Sequence, residues 1–116
     1  MINMGEIKNQ FNLYRERVCK IDNKNLEIEN LIINGANDDD ERIQEIKIDI
    51  KKLELKNKKI DNVLSLLSTK DYKVISLIYL QGKEKAKVAR ELDRTKRQID
   101  YSINKALKRI SKDLVD

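Results

Sequence analysis

Glu84 to Lys108 read EKAKVARELDRTKRQIDYSINKALK, and this stretch decides the fold. Glu84 to Leu92 allows a helix of about two turns with Val88, Ala89 and Leu92 pointing inward. Asp93 and Arg94 make a tight turn, and Thr95 is a residue type whose hydroxyl caps a helix start. Beyond it Ile99, Ile103, Leu107, Ile110 and Leu114 recur at helical spacing. A short helix, a tight turn and a capped basic helix form the helix-turn-helix pattern, and small Ala89 falls where the two helices approach closely.

Working upstream, Ser68 and Asp71 make a capping-box-like start for a further helix with an apolar stripe of Val74, Ile75, Ile78 and Leu80, and Gly82 is placed to end it. Before that come two long amphipathic stretches. In the first, Ile7, Phe11, Tyr14, Val18, Ile21, Ile28 and Ile32 alternate at four-three spacing, with Asn25 in the one gap. In the second, Ile43, Ile46, Ile50, Leu53, Ile60, Leu64 and Leu67 do the same around Asn57. Both asparagines occupy a positions of a heptad seam, where a polar residue gives up stability and favours one register or partner number. The first helix is expected from about Met4, capped by Asn3 with Glu6 as its partner, to about Ile33. Asn34-Gly35 turns the chain, and the acids Asp38 to Glu41 favour the positive end of the second helix over a cation site, since they lack the alternation and glycine of a calcium loop. Two helices of roughly 45 Å joined by a short polar turn fold back as an antiparallel hairpin. Asn25 and Asn57 lie at different distances from that turn, so either each meets another polar group or the seam serves a second chain.

The fold class expected is therefore all-α. Residues 1–66 form an antiparallel coiled-coil hairpin for association or spacing, and residues 67–116 form a helix-turn-helix domain expected to fold alone. Charge divides along the same line. The first segment carries 12 Lys and Arg against 13 Asp and Glu, the second 13 against 7. Concentrated positive charge on a small helical unit favours a polyanion such as double-stranded DNA, because neutralising phosphates releases counterions.

The stretch from Leu67 to Leu114 resembles region four of bacterial sigma factors. The residues that carry the resemblance are Leu67, Tyr79-Leu80-Gln81-Gly82, Val88-Ala89, Leu92-Asp93, Thr95, Ile99 and Lys105-Ala106-Leu107-Lys108. Ser68 stands where that pattern has proline, Lys83-Glu84 where it has a Ser/Thr cap, and Asp93 where it has glycine. Asp93 is thus expected to need a positive φ. A long paired-helix segment ahead of such a unit is similar to small phage transcription regulators of the ArpU and RinA kind. Nothing in the chain resembles the sigma region that melts promoter DNA.

A helical wheel separates two faces of the last helix. Ile99, Ile103, Ala106, Leu107 and Ile110 cluster on one side, and Arg97, Tyr101, Asn104 and Lys108 lie opposite. The resemblance implies that the first turn, Lys96 and Arg97, enters the major groove, where an arginine grips guanine O6 and N7. Asp100 can accept from a cytosine amine and Tyr101 can meet a thymine methyl or a phosphate. Lys105 and Lys108, farther along, suit backbone phosphate. The blander alternative leaves Lys96 and Arg97 solvated and Asp100 paired with a lysine.

Histidine is absent and Cys19 is the single cysteine, on an exposed b position with no basic pattern to mark it reactive. No Ser-His, Cys-His or metal-ligand arrangement exists in the sequence, so neither catalysis nor a cofactor is expected. With no pairable cysteines, no signal-like N-terminal run and no apolar span, a cytoplasmic location is expected. The reading is a sequence-specific DNA-binding transcription regulator of phage or prophage type, a homodimer through residues 1–66, with RNA polymerase as the partner the resemblance implies. Two alternatives belong to other classes: a small terminase subunit that recognises DNA for packaging, and a protein-only polymerase adaptor.

Overall fold

The computed structural model describes residues 4–114, and among these it is all-helical with no strand. Helix α1 spans Met4–Ile33, α2 Glu41–Leu64, α3 Thr69–Ile75, α4 Lys85–Glu91 and α5 Lys96–Ile110. Asn3, the expected cap of α1, lies outside the described residues. At its other end α1 closes as expected: the Ala36 N–H donates to the Leu31 carbonyl at 3.0 Å and the Gly35 N–H to that of Ile32 at 3.0 Å. This double closure needs a left-handed residue, and Gly35 supplies it at φ 99°. Asp40 opens α2, accepting from the Arg42 backbone N–H at 2.9 Å and from its guanidinium at 3.0 and 3.1 Å. Those bonds hold the Asp40 carboxyl below its ordinary range.

The polar contacts between α1 and α2 fix an antiparallel register. Tyr14 Oη donates to Asp61 at 2.8 Å, Arg17 Nη1 to Asn57 Oδ1 at 3.3 Å, and Lys24 Nζ lies 3.7 Å from Asp49. Asn57 is buried at 6% exposure, and its Nδ2 donates to the Tyr14 carbonyl at 3.2 Å. Of the two alternatives left open for the asparagines, Asn57 takes the first: its polar partners are inside the chain. Asn25 is exposed. The seam is not buried along its whole length, since Val18 and Ile32 remain 41% and 44% exposed. Two helices share one line of contact, so residues at its rim stay wet.

Tyr14 is pushed up to about 12, first by burial and then by its bond to Asp61. A phenol whose folded pKa exceeds its unfolded value stabilises the fold below pH 10, and this is lost as pH rises through about 12. Denaturant titrations at a series of alkaline pH values should therefore show the wild type losing stability faster than Tyr14→Phe across that window. Parallel pH profiles would refute the contribution.

The apolar core runs through both segments. Val74 and Ile75 of α3, Val88 and Ala89 of α4, and the inner face of α5 form one buried cluster with Ile7 and Phe11 of α1 and Ile60 and Leu64 of α2. Phe11 stacks on Tyr79, ring centroids 5.3 Å apart at 29°. The junction of residues 66 and 67 is thus a bend in the chain but not a gap in the packing, and Leu67, expected on α2, packs against this cluster from beyond its end.

Two details depart from simple periodicity. After Ile75 the helix widens into a π-helical turn, Ser76–Leu80, in which the Gln81 N–H reaches the Ser76 carbonyl at 2.9 Å. The wider turn rotates the stripe expected on Ile78 and Leu80, which are half-buried at the edge of the core along with Leu77 and Tyr79. Gly82 ends this turn at φ 73°, as its position implied. At the other end α5 stops at Ile110, short of Leu114. A bend follows in which the Ser111 hydroxyl donates to the Lys108 carbonyl at 3.0 Å, and Leu114 still reaches the core at 7% exposure.

Candidate nucleic-acid interface

α4 and α5 are joined by a turn whose hydrogen bonds leave little freedom. The Arg94 N–H donates to the Ala89 carbonyl at 2.9 Å and the Asp93 N–H to that of Arg90 at 3.3 Å, the paired closure that requires a left-handed residue between. That residue is Asp93, at φ 50°, the one non-glycine with positive φ among the described residues. Asp93→Gly should therefore stabilise the fold by about 1 kcal/mol by relieving the left-handed strain. A urea midpoint that rises with unchanged slope would show it, and a lower midpoint would contradict it.

Thr95 then starts α5 with both halves of a capping box. Its Oγ1 accepts from the Gln98 N–H at 3.1 Å, and Gln98 Oε1 accepts from the Thr95 N–H at 2.8 Å. The helix presents two unlike faces. Ile99, Ala106, Leu107 and Ile110 are at most 1% exposed and Ile103 4%, which anchors one side in the core. On the other side Arg97, Tyr101, Asn104, Lys105 and Lys108 are exposed, Tyr101 at 68%, and Lys96 is exposed at the first residue of the helix, in line with Ile103 seven residues on. The structure thus brings Arg97, Tyr101, Asn104 and Lys108 onto one surface, where they succeed one another with Lys105 beside them, while Lys96 stands at the start of the helix, off this line.

Asp100 stands apart. It is half-buried, and its Oδ1 lies 3.1 Å from Lys85 Nζ at the start of α4. The carboxylate expected to accept from cytosine thus already has a cation, and the pair ties α4 to α5 across the turn. Lys105 is partly engaged too, its Nζ 3.9 Å from the buried Asp71. Burial holds the nearby Tyr79 phenol above its ordinary value, with Lys85 opposing and Asp100 adding to the shift.

Sequence reasoning missed Arg94. Its Nη2 donates to the Gln98 carbonyl at 3.0 Å and to Ser102 Oγ at 2.8 Å, so the guanidinium lies along the first two turns of α5. This explains how Ser102 is buried at 2% exposure on a helix whose inner face is otherwise apolar. Arg94 Nη1 is buried without a hydrogen-bond partner. An arginine in a polar turn reads as solvated, and only the eight-residue spacing to a serine on the flank of the next helix hinted at the contact.

Among the described residues no group of three or more His, Cys, Asp or Glu side chains is arranged to hold a metal ion, and no helix is long and apolar enough to cross a membrane. No family model matches the chain, and no curated protein or solved structure matches it either.

Proposed function

We propose that the chain is a sequence-specific DNA-binding regulator in which α4 and α5 form a sigma region-four-like helix-turn-helix, α5 reads the major groove, and α1 with α2 form a coiled-coil hairpin. The observation that carries this reading is the two-faced character of α5. Its inner side is locked into the core and its start is capped at both ends of a capping box, while its outer side presents Arg97, Tyr101, Asn104 and Lys108 in succession. A rigid helix with a polar, cation-rich outer face is what base reading requires, because a donor must arrive at a base edge already oriented.

Arg97 and Lys96 are assigned to base edges, Tyr101 to a thymine methyl or a phosphate, Asn104 to the same groove, and Lys105 and Lys108 to phosphate. Asp100 is assigned first to holding α4 against α5 through Lys85. The chain is proposed to act in the cytoplasm, at promoters, as a dimer through α1 and α2, with RNA polymerase as the protein it meets there. Outward-facing Leu26, Ile48 and Leu55, each more than half exposed, support association through the hairpin.

Gel-shift titrations of the full chain on the DNA upstream of its own coding sequence, against a scrambled duplex of equal composition, test the DNA reading. A preference of at least tenfold is expected, and equal affinity for the two duplexes would refute it. Light scattering on the same sample should give two chains. A ring of more than about four would instead favour a DNA-packaging role.

A further inference from the structure

Where α5 leaves the core its outer surface turns toward the start of α3 and opens a cleft of about 560 Å³. Four cations, Lys105, Lys108, Arg109 and Lys112, line it together with Ser68 and Asp71. Asp71 is the one carboxylate among the lining residues; its side chain is 9% exposed and lies 3.9 Å from Lys105. Arg109 gives one N–H to Asp113 at 3.4 Å and keeps others of its five donors. Ser68 Oγ accepts from the Asp71 N–H at 3.2 Å and retains its own proton to donate. The cleft is therefore cationic and rich in donors, and nothing in the base-reading role of α5 uses Arg109 or Lys112.

The geometry points to a second anion site here, taking backbone phosphodiester of the DNA strand that flanks the groove α5 reads. This rests on the DNA-binding reading above. Lys105 and Lys108 belong both to the exposed face of α5 and to the cleft, so the cleft continues the face that carries Arg97; from Arg97 to Arg109 the rise is roughly 18 Å along the helix, and Lys112 lies in the bend beyond its end. A duplex presents phosphates on that length scale, one per about 3.4 Å of axis on each strand. An acidic protein segment is the other polyanion of this charge, but it would need an apolar anchor. Leu67 is already packed against the core, which leaves Leu66 alone to provide one.

The test uses the full chain and compares Arg109→Gln/Lys112→Gln with the charge-keeping Arg109→Lys/Lys112→Arg. Equilibrium constants are measured against salt concentration on the upstream duplex and on its scrambled counterpart. Loss of two phosphate contacts should lower the salt slope by about two and weaken both duplexes alike, leaving their affinity ratio unchanged, while the charge-keeping variant behaves as wild type. An unchanged slope in the glutamine variant overturns the site and leaves the reading by Arg97 standing. An equal fall in the charge-keeping variant also overturns it, because the loss would then follow packing. Tighter binding of a polyglutamate peptide than of scrambled duplex, abolished by the glutamine pair, assigns the cleft to an acidic protein segment. Failure of the wild type to bind any duplex overturns both this site and the proposed function.

Discussion

Phe11→Ala should cost about 3 to 5 kcal/mol of stability and should melt α1 to α5 in one transition. Phe11 belongs to the long helical segment by sequence, yet it is 1% exposed, stacks on Tyr79 and sits in the same buried cluster as Ile75, Ile99 and Leu107. Deleting the ring leaves a cavity between the two segments instead of at a surface. A domain of this size has only about 5 to 15 kcal/mol in all, so the loss is a large fraction of the total. Urea unfolding followed in parallel by helix dichroism and by tyrosine absorbance is the check. Coincident transitions, both shifted by the substitution, are expected. Two separated transitions, one of them unmoved, would mean that residues 67–116 hold together without α1. A fragment of residues 67–116 lacks Ile7, Phe11, Ile60 and Leu64, one wall of this core, so if it folds alone as expected it should be markedly less stable than the full chain.

Arg97→Ala should remove most of the sequence preference and none of the helicity. The side chain is exposed and makes no contact that supports the fold, whereas one lost bidentate base contact costs about 1 to 3 kcal/mol, or about five- to 150-fold in affinity for the preferred site. Affinity for scrambled DNA should fall far less. A competition shift in which wild type and variant discriminate equally would place the reading surface elsewhere on the molecule.

Much of the architecture was legible because its signals are local. The Thr95 cap, the start at Ser68 with Asp71, the turn at Gly35 and the stop at Gly82 each act within a few residues of chain, and all are found in place. Asp93 was marked by its position in the turn. What escaped the sequence depends on contacts far apart in the chain. The docking of α1 on the π-helical turn pairs Phe11 with Tyr79, and heptad spacing does not say whether Phe11 faces α2 or something beyond it. The π-helical turn itself adds a residue that a regular period cannot show. Within the candidate site the outward residues of α5 followed from the wheel. The Lys85–Asp100 pair was legible only as a generic lysine partner, because it depends on the angle at which α4 meets α5, and Arg94 on Ser102 not at all, because it depends on how the turn folds that side chain back along α5.

Selection of duplexes from a randomised pool by the full chain, with Arg97→Ala run beside it, tests whether α5 reads DNA sequence. A short enriched motif is expected for the wild type, weakened in the variant at positions where guanine is preferred. Recovery of a pool no different from the input, with the wild type fully helical, would contradict it.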